Sequence, residues 1–432
     1  MTPVDVVVIG AGPAGIAAAL AAVEAGASVT LIDEHPAPGG QLRWRVVPLP
    51  GVDDALGGLP SCQAAEQLGE RLARAGVSML MGAVAWGLFD DNQLAVAGPD
   101  GGCLLQAEKI VVASGSVDLV LPFPGWTLPG VMTARAAQIL LHCHRVLPGR
   151  RIAILGRGPD AAELIHDLET AGAEIVLQAA DPAQVAASGR DRVERVSAGG
   201  QSREADALVI ALGRQPDPEL ALQAQVDLGY SSRLGCHLPL RNELLESSRP
   251  GLYVAGEAAG TVDLVESFAE GRLAGFAASG TTSERVATAR EALVRVRSAA
   301  RAAEVERLRL GASHAAQLDE EASAPWRSWA LAATAAEQDA PLSRAALCRC
   351  EQVTVGEVRQ AIAEGARTID DIKRRTRAGM GLCQGIFCTQ AMMLLLHAQQ
   401  HLALADIPPM TERPPARPLP LTHLIEIAER LG

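Results

Sequence analysis

Aromatic side chains are scarce in this chain: five Trp, two Tyr and five Phe in 432 residues, although 48% of the residues are hydrophobic. A core must therefore be built from Ala, Val, Leu and Ile, and the length suffices for two or three domains built that way. No run of about 20 apolar residues is free of charge, which excludes an ordinary membrane-spanning helix. The apolar N-terminal stretch has no basic leader and no cleavage site, so it is expected to be a fold element. Positive charge is short as well. A net charge of -12 argues against a nucleic-acid partner. Ser-His-Asp and metal-hydrolase patterns are missing. The expected location is the cytoplasm, free or peripheral to the inner face of a membrane. There disulfides are rare, and grouped cysteines hold metal or do redox chemistry.

What is present falls into segments. Residues 1–147 open with strand, glycine turn and helix, and 148–215 repeat that pattern in "RRIAILGRGPDAAELIHDLETAGAEIVLQ". Residues 216–283 return to short apolar strands and a closing helix. A helical stretch and linker occupy 284–341, a cysteine-bearing module 342–400, and a Pro-rich tail with a short amphipathic helix 401–432. Two strand–turn–helix units with glycine turns imply two doubly wound α/β domains.

"VVVIGAGPAG" runs a buried strand into G-x-G-x-x-G at Gly10, Gly12 and Gly15, with Pro13 and Ala14 opening the helix. Gly10 makes the tight turn, Gly12 lets backbone approach a pyrophosphate, and Gly15 permits close helix–strand packing. A second strand ends at Asp33 and Glu34, where a carboxylate can take ribose hydroxyls. Strand, turn, helix, strand and acid together make a strong dinucleotide signal. The second fold carries Gly156, Gly158 and Ala161 as G-x-G-x-x-A. Its second strand ends at Gln178, where an acid would suit NAD and following arginines NADP. The expected state is a retained domain that is empty or holds a different nucleotide.

Cysteines add a third feature. Cys62, Cys103, Cys143 and Cys236 are scattered singly and are expected to be small buried hydrophobes. The run His142, Cys143, His144 would point its side chains in different directions on a helix, which makes three-point metal ligation awkward. Cys348, Cys350, Cys383 and Cys388 form C-x-C, a gap of 32 residues, then C-x4-C. Zinc sites commonly space both pairs by two to four residues, and four thiolates are the ligand set of a [2Fe–2S] cluster. Zinc, mononuclear iron and a disulfide remain as alternatives. Between the pairs, Thr354 with Glu357 and Thr368 with Asp371 read as capping boxes of two short helices. Cys388 is expected at a helix start, where the dipole favours anionic sulfur. Arg367, Lys373, Arg374, Arg375 and Arg377 form either a solvated face or a patch that offsets an anionic cluster or meets an acidic partner.

These motifs carry a resemblance. "PAPGGQ" (Gly39, Gly40, Gln41), "KIVVASGS" (Ala113, Ser114, Gly115) and "RPGLYVAGEAAG" (Gly256, Glu257) resemble the flavin-contacting segments of the glutathione- and thioredoxin-reductase-like superfamily. Ser stands for that group's Thr, and Glu for its Asp. The resemblance implies FAD in the first fold, with Val84 also among its contacts. The superfamily's paired redox cysteines beside the flavin are missing. The C-terminal module resembles the bacterioferritin-associated-ferredoxin type of [2Fe–2S] domain. Its C-x4-C spacing, "RAGMGLCQGIFC" and the stretch Leu121 to Leu141 are similar to the α subunits of hetero-oligomeric flavin dehydrogenases.

The expected class is thus α/β: a two-dinucleotide-binding-domain flavoprotein, glutathione/thioredoxin-reductase-like, with a small helical C-terminal [2Fe–2S] domain. The resemblance implies an electron-transfer subunit that serves a β subunit of amino-acid-oxidase type. That subunit would oxidise an amino or imino acid, D-hydroxyproline by expectation. A one-electron acceptor and a small γ ferredoxin-like subunit complete the expected partners. A second nucleotide and an FMN at a subunit interface stay open as further cofactors. The alternative function is a self-contained NAD(P)H-dependent ferredoxin-type reductase; a third is an iron–sulfur sensor or scaffold. The Pro-rich tail either wraps a neighbouring subunit or is disordered.

Overall fold

Val6, Val7 and Val8 are buried in succession, the mark of a strand covered on both faces. The first sheet is built around them. In the computed structural model, which describes residues 3–52, 56–312 and 326–431, the chain divides into two units. Part of the expected linker, residues 313–325, lies outside the described residues.

The first unit comprises residues 1–116, 216–320 and 411–432. Its strands are β1 (Pro3–Ile9), β2 (Val29–Asp33), β3 (Ser78–Met81), β4 (Val84–Leu88), β5 (Gln93–Gly98) and β6 (Gly101–Val112), in the order β3-β2-β1-β6-β5-β4. Strands β3, β2, β1 and β6 run parallel, and Leu252–Val254 joins β6 in the same sense. Their carboxyl ends therefore lie on one side, and that is where Gly10, Glu34, Ala113 and Gly256 follow the strands. Ligands of open parallel sheets bind at this edge.

Helix α1 (Pro13–Glu24) packs against the helix Leu264–Ala278 with almost no side chain between them. A Cβ on Gly271 would fall 2.0 Å from the Ala14 carbonyl oxygen, and one on Gly275 2.2 Å from that of Ala18. Small residues at these four positions let the two backbones touch. That is how a core poor in aromatics stays close-packed.

The tail belongs to this unit. Ala416 donates its N–H to the Trp86 carbonyl (2.8 Å) and lies buried among Ile9, Ile32 and Leu220. The helix Leu421–Leu431 lies on β6, where Glu426 Oε2 accepts the Gly102 N–H at 2.6 Å. The terminal helix packs Ile427 and Leu424 within the chain, while Leu421 and Ile425 stay exposed.

The second unit comprises residues 117–215 and 321–410. Its parallel sheet is ordered Glu174–Ala179, Arg151–Gly156, Ala207–Ala211, Val131–Thr133. One face is covered by the helix Pro159–Thr170 and the other by a three-stranded antiparallel sheet. Because Val131–Thr133 pairs with this sheet, the residues from 117 onward group with the second fold, before the boundary expected at 147.

The cysteine module is also in this unit. Its helices are Val355–Ala363, Ile369–Thr376 and Thr389–Gln400, and both expected capping boxes are formed. The helix Arg327–Ala335 packs on Thr389–Gln400, and its Trp329 donates Nε1–H to the Pro122 carbonyl at 2.6 Å. Trp126 makes the matching bond to the Ala346 carbonyl at 2.7 Å, and Phe387 packs into the apolar cluster of the second nucleotide fold. Among the described residues, no helix is long and apolar enough to cross a membrane.

Candidate functional site

Helix α1 starts with Gly12 as its N-cap and Pro13 at the first position, with no side-chain cap and no acid in the first turn. Its end N–H groups are thus unclaimed by side chains, and the helix dipole favours an anion there. A Cβ on Gly12 would meet nothing nearer than the Gly40 Cα at 4.0 Å, whereas one on Gly15 would lie 1.7 Å from the Gly10 carbonyl oxygen. Gly15 serves packing, and Gly12 leaves room above the turn. Asp33 Oδ2 accepts the Ala11 N–H (2.6 Å), and Oδ1 accepts the His35 N–H (2.8 Å) and meets its Nδ1 (3.0 Å). Burial alone would raise the Asp33 carboxyl, but the His35 side chain and these N–H groups hold it below its usual range. Glu34 beside it is exposed.

Gln41, Ser116 and Glu257 meet across the site. Gln41 Nε2 donates to Glu257 Oε1 (3.2 Å), Ser116 Oγ to Glu257 Oε2 (2.7 Å), and Arg45 Nη1 to Gln41 Oε1 (3.3 Å). Gly40 lies against the phosphate turn, since a Cβ there would come within 2.7 Å of the Gly12 Cα. Gly115 faces open space, with Glu257 Oε2 at 4.0 Å the nearest atom to a Cβ. Ala113 is buried and hydrogen-bonds through its N–H to Ile9; Ser114 is exposed and donates Oγ–H to the Asp217 carbonyl at 2.6 Å. Val84, half-buried on β4, packs beside Trp86.

From beneath, the Gly256 N–H donates to Glu270 Oε2 (2.9 Å), a carboxylate that also takes two bonds at 3.1 Å from Arg241 and one at 2.9 Å from Arg297. Motif reading missed Ser116, Arg45 and Glu270. Only Ser116, the neighbour of a motif, left any local trace. An uncapped helix start, room over Gly12 and Gly115, and a polar rim of Gln41, Ser116 and Glu257 fit an extended flavin dinucleotide.

In the second fold the glycine geometry is kept. Gly158 has φ 99° with open space where a Cβ would stand, and Ala161 is buried under the sheet. Two details differ from an open phosphate turn. Gln178 Nε2 donates to the Gly156 carbonyl at 3.1 Å, and Asp160 in the first helical turn pairs with Arg214 at 3.2 Å. His142 Nε2 meets Asp167 Oδ2 at 3.0 Å while Cys143 and His144 are exposed, so the three do not converge. Of the scattered cysteines only Cys236 is buried; Cys143 is exposed, and Cys62 and Cys103 are intermediate. The expectation of four buried thiols is corrected, because Cys143 falls where its helix ends and faces outward.

The four clustered cysteines stand as two pairs. Cys348 contacts Cys388, and Cys350 contacts Cys383. The first pair is buried, Cys388 at the N-cap of Thr389–Gln400; Cys350 is exposed and Cys383 half-buried. The hydrogen bond from Cys388 lowers the Cys348 thiol most. Burial opposes this, but the N–H groups of Gly379, Glu351 and Cys350 carry it down to about 5. Cys388 is pushed up, first by the shared bond to Cys348 and then by burial. Cys383 is pushed up by burial. The loop closes tightly on the outer pair: a Cβ on Gly381 would lie 2.3 Å from the Cys350 Cβ.

Cys388 also feels the charges of Cys350 and Cys383, so the two pairs lie close to one another. Two thiol pairs, each able to hold one iron, with N–H groups aimed at sulfur, fit a [2Fe–2S] cluster. The nearby cations are mostly engaged locally: Arg377 with Glu351 (2.9 Å), Arg374 with Asp371 (3.1 Å), and Arg375 with the Glu364 carbonyl (3.2 Å).

Residues 4–188 match the pyridine nucleotide-disulphide oxidoreductase family, and residues 346–398 the BFD-like [2Fe-2S] binding domain. The chain is 29% identical to an opine oxidase subunit of Rhizobium meliloti (strain 1021), over 98% of this chain and 99% of the relative. It is 27% identical to hydrogen cyanide synthase subunit HcnB of Pseudomonas aeruginosa, over 88% and 90%. The solved structure of L-proline dehydrogenase from P. horikoshii superposes with a TM-score of 0.79 at 25% identity, covering 98% of this chain and 79% of that one. With FAD indicated for the first fold and a [2Fe–2S] cluster for the C-terminal module, the chain is a homologue of this opine oxidase subunit and of HcnB, a flavin oxidoreductase subunit with a fused BFD-like domain.

Proposed function

We propose that this chain is the electron-transferring subunit of a multi-subunit dehydrogenase that oxidises the C–N bond of an amino or imino acid, with D-hydroxyproline as the substrate. The pairing of four thiols in the same chain as the flavin fold carries this reading. When bound, FAD takes two electrons together and releases them singly, and the cluster carries one at a time. Gly10, Gly12, Pro13, Ala14 and Gly15 would seat the pyrophosphate, Asp33 and Glu34 the ribose, and Gly40, Gln41, Gly115, Gly256 and Glu257 the flavin half. Val84, Ala113 and Ser114 would line the remaining wall. Cys348 and Cys388 would hold one iron on the buried side, Cys350 and Cys383 the other toward solvent.

The substrate class rests on the likeness to an opine oxidase subunit, to a hydrogen cyanide synthase subunit and to the structure of an L-proline dehydrogenase. Subunit names among the relatives support a partner subunit; we assign that role to a substrate-oxidising β subunit of amino-acid-oxidase type, with a one-electron acceptor and a γ ferredoxin-like subunit beside it. We place the complex in the cytoplasm. The second fold, with Gln178 tied to Gly156, offers no acid to a pyridine-nucleotide ribose, so we assign it no role as an NAD(P)H entry point.

Purification of the chain with its native partners tests this reading. FAD, iron and labile sulfide should co-purify, and D-hydroxyproline should drive dye reduction ahead of L-proline and opines. Dye reduction by an opine alone would move the substrate and keep the subunit role. Rapid flavin bleaching by NADH or NADPH would replace the subunit reading with the self-contained reductase.

A further inference from the structure

The segment Pro414–Leu419 passes along the adenosine end of the first nucleotide site. Ala416 is 3% exposed, in an apolar cluster with Ile9 and Ile32, the residues directly before Gly10 and Asp33. Leu419 and Leu424 pack in one cluster with Val84. A Cβ on Gly87 would lie 3.4 Å from Pro414. Arg417 reaches from this segment to two carboxylates: Nη2 bonds Asp217 Oδ2 at 2.7 Å, and Nη1 meets Glu219 Oε2. Asp217 in turn donates its N–H to the Gly115 carbonyl (3.0 Å) and accepts Ser114 Oγ–H (2.6 Å). The charges of Asp217, Glu219 and Glu34 all favour the guanidinium's ionised form. The segment is thus bracketed by Glu34, Val84 and the Ser114–Gly115 turn.

We propose that Pro414–Leu419 is the outer wall of the adenosine end of the first nucleotide site and that Arg417 is a nucleotide-binding residue. The inference rests on the reading that FAD occupies the first fold. Both terminal nitrogens of Arg417 are used by carboxylates, which fix the plane of the guanidinium. Its Nε and its flat faces remain, with 26% of the side chain exposed. A guanidinium held in this way can stack on a purine or bond a phosphate without losing much rotamer freedom. It also adds positive charge beside Asp33, Glu34 and Asp217, next to which an anionic diphosphate must bind.

Titration of FAD and of ADP into the deflavinated full-length chain tests this. R417Q is expected to weaken both about tenfold, with iron and sulfide content unchanged. Because R417Q also leaves two carboxylates unpaired, the triple variant R417Q/D217N/E219Q is measured beside it and should show the same loss. D217N/E219Q keeps the guanidinium but no longer fixes its plane, so it should weaken ADP by about threefold, less than R417Q does. Wild-type affinity in the triple variant, or a loss in D217N/E219Q equal to that in R417Q, overturns the proposal and leaves Arg417 a fold-closing residue. A wild-type chain that holds neither FAD nor ADP overturns the underlying reading of the first fold.

Discussion

The Cys348 and Cys388 thiols lie in contact, each 1% exposed, although one sits in a short strand and the other begins a helix at the far end of the module. The Cys350–Cys383 pair lies outside it. C348S or C388S is therefore expected to lower iron and labile sulfide from about two each per chain to near zero, while FAD stays bound. Colorimetric iron and sulfide assays with the flavin spectrum check this. Stoichiometric zinc without sulfide in the wild-type chain would overturn the cluster.

Gly12 and Gly15 separate binding from folding. Gly12→Ala adds a methyl group to open space at an ordinary φ of -81°, so the thermal transition should stay within a few degrees of wild type. FAD affinity should fall at least tenfold, because that space is where the pyrophosphate approaches. Gly15→Ala instead drives a methyl into the Gly10 carbonyl and should abolish soluble expression. Equal FAD affinity in Gly12→Ala and wild type would remove the pyrophosphate from this turn.

Glu270 is fully buried beneath the Gly256 turn, with Arg241, Arg297 and Arg301 about it. Burial pushes its carboxyl up, but the three guanidiniums prevail and hold it at about 2, against an ordinary 4.5. A depressed carboxyl stabilises the fold above its unfolded value and ceases to do so as pH falls toward its folded value. The contribution, roughly 3 kcal/mol, is complete above about pH 5 and lost between there and pH 2. Glu266, raised by burial and by Glu270's charge, works in the opposite sense and shallows the slope. Glu270→Gln strands buried guanidinium charge and should cost roughly 3–5 kcal/mol near neutral pH. Urea-induced flavin release at pH 7 and pH 3.5 measures both effects; no loss in the variant at pH 7 would refute the argument.

Gln178, standing where an acid would suit an NAD ribose, spends its amide on the Gly156 carbonyl. Stopped-flow mixing with NADH or NADPH should leave the flavin absorbance unchanged over seconds. Bleaching within the dead time would show that the second fold takes up a pyridine nucleotide despite this bond.

Signals that lie close together in sequence were legible. The glycine turns, both capping boxes and the helix start at Cys388 each depend on residues a few positions apart, and each is where its spacing placed it. Thiol spacing in the cysteine module disfavoured zinc, and the resemblance of its motifs supplied the cluster. Relationships across long stretches were not. Glu270 reads as an ordinary helix charge until Gly256, Arg241 and Arg297 are folded around it, and nothing local marks Arg417 as the partner of Asp217. The Pro-rich tail reads as an extended segment with few backbone donors, and nothing local shows that the Ala416 N–H meets the Trp86 carbonyl.

The strap from Pro414 onward also sets an order of assembly during synthesis. The first nucleotide fold draws its strands from residues 3–112 and 252–254, but its wall at Ala416 and its cover on β6 emerge from the ribosome only after the entire cysteine module. Domains fold as they emerge, so the module can acquire its tertiary structure while the flavin fold is still open at one side. The wall and cover of the flavin fold are thus the last of its parts to be synthesised.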